Sequence, residues 1–171
     1  QHREAEIASV LDTKKFIEKS TEIYGYKNFV CDTSGSICEL VNPLERSDPL
    51  LNHLTSNTLI VLIQGLEKHN QELIRRFSED PKPIYYNTSF LQKKWQSFKN
   101  LHSIKDEEVN PREFSLFCFE DLLKHRAPIY EKIAENWGIS IQADDISKVR
   151  DEKDFIELIF DCNLFHEQLL F

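Results

Sequence analysis

The sequence predicts an α/β fold with a mostly parallel sheet. Three observations predict it. Three short runs read as strands: Asn28 to Cys31, of the continuous apolar kind found in buried parallel strands, Thr58 to Ile63, and Ile139 to Ile141. Segments with helical apolar spacing separate these runs, as βα units require. No internal repeat, low-complexity tract or long linker interrupts the alternation.

Glu4 to Leu11 carries an apolar stripe of Ile7, Val10 and Leu11. A second helix begins after Asp12 or Thr13 as N-cap and ends at Gly25, the residue suited to a left-handed C-cap. The first strand follows and closes in Asp32-Thr33-Ser34-Gly35-Ser36, a turn of small and polar residues. Ser47-Asp48-Pro49 opens a short helix with proline at its first position. Thr58 to Ile63 is the clearest strand, broken by Gln64-Gly65, and Glu67 to Phe77 reads as a helix.

Pro81-Lys82-Pro83 forces extended backbone. Asn87 or Thr88 caps a helix bearing Phe90, Leu91, Trp95 and Phe98. Asn110-Pro111-Arg112-Glu113 combines an N-cap, a proline at N1 and a glutamate at N3. The helix it opens is rich in aromatics, with Phe114, Phe117 and Phe119 reading as core. Pro128 starts or restarts a helix that Gly138 ends. Asp151 to Phe160 closes the chain as a helix.

The length of 171 residues suits one domain, 1–171, and residues 87–125 read as a helical insertion within it. At this size about 70% of the unfolded surface can be buried, so no disulfide or metal staple is required. The composition, 40% hydrophobic and 29% charged, excludes wholesale disorder. A net charge of -8 argues against nucleic acid and anionic membrane as partners. The longest apolar run, Leu59 to Ile63, is too short to span a bilayer. The polar start Gln1-His2-Arg3-Glu4 does not read as a signal peptide. Cys31, Cys38, Cys118 and Cys162 show neither a C-x-x-C pair nor zinc spacing, which suits buried thiols in a reducing cytoplasm.

The chain contains no methionine. Either its natural start lies upstream of Gln1, or methionines have dropped out of the sequence as selenomethionine, leaving some spacings short by one.

Three features could carry chemistry. Asp32, at the expected carboxyl end of a strand, could hold hydrated Mg²⁺ while its small neighbours admit a phosphate; equally, it could simply cap the turn. Arg75 and Arg76, with Lys82 beyond a loop, could clamp phosphates or could pair with the helix C-terminal dipole. Arg126, at an expected helix junction, could grip a carboxylate or phosphate in bidentate fashion, or be an ordinary helix-end arginine.

In this order the features resemble the shikimate-kinase-like branch of the P-loop kinases. Asp32-Thr33-Ser34-Gly35-Ser36 stands where that family has a Thr-Gly-Gly-Gly turn. Thr58 to Ile63 and then Glu67 to Arg76 match its strand and arginine-ended helix. Lys82-Pro83-Ile84-Tyr85 matches a lid ending in Arg-Pro-Leu-Leu. Arg126-Ala127-Pro128-Ile129-Tyr130 matches its Arg-x-Pro-Leu-Tyr. The likeness covers roughly Phe29 to Tyr85 and Arg126 to Phe160.

The resemblance implies a three-layer parallel sheet of the P-loop nucleoside-triphosphate-hydrolase type. It implies a kinase-like phosphotransferase or ATPase using ATP and Mg²⁺ on a small anionic hydroxyl compound. Asp32 and Lys82 would be catalytic, with Asp32 also meeting the metal. Arg75 and Arg76 would lie near the nucleotide, and Ser34, Gly35 and Arg126 would face the acceptor.

The chain departs from that pattern at several points. The triple glycine is Ser-Gly-Ser, the lid arginine is Lys82, and no G-x-x-x-x-G-K-[ST] loop occurs among Gly25, Gly35, Gly65 and Gly138. The family's loop would precede Gln1. The alternative is a non-catalytic interaction module. Zinc hydrolase and serine-nucleophile chemistry lack their motifs altogether.

Overall fold

The computed structural model describes residues 2–33 and 35–168. Helices α1 (His2–Leu11), α2 (Thr13–Tyr24) and α3 (Pro49–Thr55) precede strand β1 (Ile60–Gln64). Then come α4 (Glu67–Glu79), α5 (Thr88–His102) and α6 (Pro111–Trp137). Strand β2 (Gly138–Gln142), α7 (Ala143–Ile146) and α8 (Glu152–Gln168) complete the order.

The architecture is mostly helical, and its sheet has two strands, β1 and β2. The expected three-layer parallel sheet of P-loop type is therefore not what this chain forms. Both observed strands fall on expected apolar runs and pair in parallel, with Ile60 opposite Gly138 and Gln64 opposite Gln142. The difference lies at Asn28 to Cys31, which has no regular secondary structure and joins no ladder among the described residues. Val30 is 86% exposed there, and the Asn28 amide donates to Glu152 Oε1 at 2.6 Å. Three apolar residues, Phe29, Val30 and Cys31, without a neighbouring strand have nothing to fix a register. Asp32 consequently does not sit at the carboxyl end of a strand.

The chain divides into two compact units, one made of residues up to Gln64 with those from Ile129 onward, the other spanning Gly65–Pro128.

In the first unit, Asp48 organises the start of α3. Its Oδ1 accepts from the backbone N–H groups of Leu50 and Leu51 at 3.0 and 2.9 Å, and its Oδ2 accepts from that of Asn42 at 2.8 Å. This aims Leu50 and Leu54 into a core with Val10 and Ile37, and Leu51 into a core with Cys38 and Ile133. Ile60 packs against both clusters and so ties β1 to them. Asn136 Nδ2 and Trp137 Nε1 both donate to the Pro43 carbonyl, at 3.0 and 3.1 Å.

Gly138 does more than stop a helix. A Cβ there would lie 2.2 Å from the Ile60 carbonyl oxygen, so only glycine lets the two strands meet at this pair. Gly25 plays the expected role: φ is 66° and its N–H donates to the Thr21 carbonyl.

The second unit is an aromatic core between α5 and the first part of α6. Phe98, Phe114 and Cys118 are buried, with Tyr86, Trp95 and Phe117 packed around them. Edge-to-face contacts of Phe114 with Trp95 and Phe98 have centroids 5.0 and 5.6 Å apart, the arrangement ring quadrupoles favour. Phe77 of α4 stacks on Phe119 at 3.9 Å. Lys94 lies over the rings of Phe90 and Phe117 and pairs with Asp121.

Helix α6 runs unbroken through Pro128, where the sequence suggested a new start. Proline there removes the N–H that would bond to the carbonyl four residues back. Burial of Phe114, Cys118, Leu122, Ile133 and Ala134 along the helix offsets that loss.

Two glycine variants separate these roles in urea unfolding. Gly138→Ala is expected to destabilise the protein by about 3 kcal/mol, because backbone rather than a flexible side chain must move. Gly25→Ala, open to solvent but left-handed, is expected to cost about 1 kcal/mol.

Candidate functional site

The expected site residues fall in both units. Asp32 and Gly35 belong to the first, and Arg75, Arg76, Lys82 and Arg126 to the second. Ser34 lies outside the described residues.

In the first unit, Asp32 is exposed on the rim of a cavity of about 350 Å³. Glu6, Ser9 and Thr13, from the end-to-end pair α1 and α2, line it together with Cys31 and Thr33. Glu6 accepts a short hydrogen bond from the buried Ser36 hydroxyl, which holds the carboxylate in place. The Gly35 carbonyl accepts from Tyr130 Oη at 2.5 Å and from Cys38 Sγ at 3.3 Å. The turn therefore turns this carbonyl inward to α6.

In the second unit, Arg75 lies on α4 between two carboxylates. Its Nε and Nη2 donate to Glu72 at 2.8 Å, and its Nη1 donates to Glu79 at 2.5 Å. This contact holds the Glu72 carboxyl below its ordinary range and raises Arg75. Arg76 is exposed and adds to the positive field on Glu72. Lys82 pairs with Asp80 at 2.7 Å, and that contact holds Asp80 below its ordinary range.

Arg112 belongs to the same locus and was not anticipated. Its Nη2 donates to the carbonyls of Ser78 and Glu79, both at 3.5 Å, covering the last acceptors of α4. Its charge also acts on Asp80. The signal in the sequence was confined to its place in a capping motif, which gave no hint of a contact across 33 residues. Arg75, Arg76, Lys82 and Arg112 thus gather at the carboxyl end of α4 with Glu72, Glu79 and Asp80, four cations to three carboxylates.

Arg126 has a different setting. It lies inside α6, not at a helix junction, and is 8% exposed. Its Nη2 donates to the Tyr85 carbonyl at 2.6 Å. The guanidinium thereby anchors the segment leading into α5.

Cys38 and Cys118 are buried, Cys31 is exposed, and none of the four cysteines forms a disulfide. Burial pushes the Cys118 thiol up to about 11, against a smaller opposing pull from Lys94. Burial also pushes the Tyr86 phenol up. Neither group is poised to act as a nucleophile or base near neutral pH.

Among the described residues no group of three His, Cys, Asp or Glu side chains could cage a metal ion. Among the same residues no helix is long and apolar enough to cross a membrane. No protein-family model, no curated protein and no solved structure matches the chain.

Arg126→Met is expected to lower stability by about 1–3 kcal/mol, the cost of leaving the Tyr85 carbonyl without its charged donor. Denaturant titration measures it. Cysteine accessibility gives a second check. With a thiol-reactive disulfide at pH 8, Cys31 is expected to react at once and Cys118 only on the unfolding timescale.

Proposed function

We propose that the protein binds phosphate-bearing ligands and acts in the cytoplasm as an ATP- and Mg²⁺-dependent kinase-like phosphotransferase or ATPase. Its co-substrate would be a small anionic hydroxyl compound. The observation that supports this reading is the cation group at the end of α4. Arg75, Lys82 and Arg112 are held only by exposed carboxylates or by backbone carbonyls. Exposed ion pairs are weakly held, so a polyphosphate with several charges competes well for the same guanidinium and ammonium groups. Arg112 counters the negative end of the helix dipole, which would otherwise oppose an anion there. Phosphoryl transfer asks the protein mainly for positioning and charge neutralisation, and arginines and a lysine supply both.

Asp32 is the carboxylate the kinase resemblance assigns to Mg²⁺, and Gly35 the turn residue it assigns to the acceptor. Arg126 supports the fold rather than the ligand in this reading, because its guanidinium already serves Tyr85. The cytoplasmic assignment rests on four cysteines without a disulfide, which suits a reducing compartment.

A second reading, a non-catalytic interaction module, is favoured by α2. Phe16, Ile23 and Tyr24 lie on one side of that helix, with Ile23 64% and Tyr24 65% exposed. Apolar surface of this kind suits a protein partner better than a phosphate.

Isothermal calorimetry with ATP and MgCl₂ separates the two readings. The wild-type chain is expected to bind. Arg76→Ala and Lys82→Ala are each expected to weaken binding roughly tenfold, the worth of one charge-assisted contact. Arg126→Met is expected to leave the affinity of the folded protein unchanged. A wild-type chain that binds no nucleotide would leave only the interaction module.

A further inference from the structure

Helix α2 rests on the first unit through a narrow strip. Thr13 is buried, Ile17 and Ser20 are half-buried on the same side, and every other residue of the helix is exposed. Phe16 is 53% exposed, and Ile23, seven residues on, shares its face. Tyr24 stacks on Tyr26 with centroids 5.3 Å apart, which carries the apolar surface past Gly25. A helix of 12 residues is marginal in water unless its apolar face is packed.

Charge selects what packs there. Lys19 and Glu22 lie on one flank of the Phe16–Ile23 stripe, both exposed, and neither has an ion-pair partner among the described residues. Ser20 and Tyr24 form the other flank and carry no charge. Two copies of α2 paired antiparallel about a two-fold axis bring like flanks together, so the charged flank meets itself with its order reversed. With Phe16 opposite Ile23 of the other copy, the rise per residue leaves Lys19 and the other copy's Glu22 about 3 Å apart along the axis. The two-fold repeats this ion pair and the Phe–Ile contact. A parallel pairing would instead set Lys19 and Glu22 against the uncharged flank. The small side chain of Ser20, beside the axis, lets the helices approach closely.

We infer that α2 is a self-association surface, through which two copies of the chain pair antiparallel by Phe16 and Ile23 in a register set by Lys19 and Glu22. This names a partner for the interaction-module reading and rests on that reading's exposed surface, not on nucleotide binding. A helix about 18 Å long offers less than the roughly 800 Å² per partner of a standard interface, so the dimer is weak and reversible.

Sedimentation equilibrium of the whole chain at low salt, across roughly 10–500 µM, covers weak association of this kind. The mass is expected to rise from one chain towards two and no further. Ile23→Lys, an exposed substitution checked for native circular dichroism, is expected to remain monomeric. Lys19→Glu and Glu22→Lys are each expected to weaken the dimer about tenfold, because two attractive contacts become repulsive. Combining both reversals is expected to restore wild-type association. A monomer at every concentration, growth beyond a dimer, a dimer untouched by Ile23→Lys, or no recovery in the double variant would each overturn the inference. A monomer would still leave the module reading an unlike protein as partner, and ATP calorimetry is read separately from all of these outcomes.

Discussion

The first unit depends on a close approach of two backbones, Ile60 and Gly138. These residues lie far apart in sequence, and their pairing starts the β1–β2 ladder. Ile60 contributes twice. Its carbonyl meets the glycine, and its side chain joins the Val10–Leu54 cluster to the Leu51–Ile133 cluster. A two-stranded sheet by itself is marginal in water. Here it persists because Ile139 and Ile141 are buried and α7 and α8 pack along it. Closing a loop of this length costs entropy only logarithmically, so a modest buried ladder can hold it. Residues 65–128 build their own aromatic core.

Charge is distributed unevenly over this frame. The chain is acidic overall, at -8. The cavity around Asp32 follows that trend, whereas the end of α4 reverses it locally with four cations.

Much of the local structure was legible in the sequence because short-range chemistry dictates it. Asp48-Pro49 at the start of α3, Gly25 after α2, Asn87 before α5 and Asn110-Pro111 before α6 each act through atoms within a few residues. The runs that became β1 and β2 were legible too, as was their parallel sense. Two things were not. Asn28 to Cys31 has strand composition, but a strand needs a neighbour, and composition does not supply one. Pro128 has the local signature of a helix start, yet tertiary burial on both sides of it carries α6 through. The site was legible in part. Arg75, Arg76 and Lys82 stood out as cations near one helix end. Arg112 did not, because its role depends on packing between α4 and α6. Arg126 was legible as important but not as structural, since only coordinates reveal that the Tyr85 carbonyl occupies its guanidinium.

Amide hydrogen exchange on the native chain tests the central pairing most directly. The account predicts slow exchange for ladder amides within 60–64 and 138–142, lost together on unfolding, with fast exchange across 28–33. Protection of 28–33 equal to that of β1, or free exchange along β1, would contradict the two-stranded arrangement on which the first unit is built.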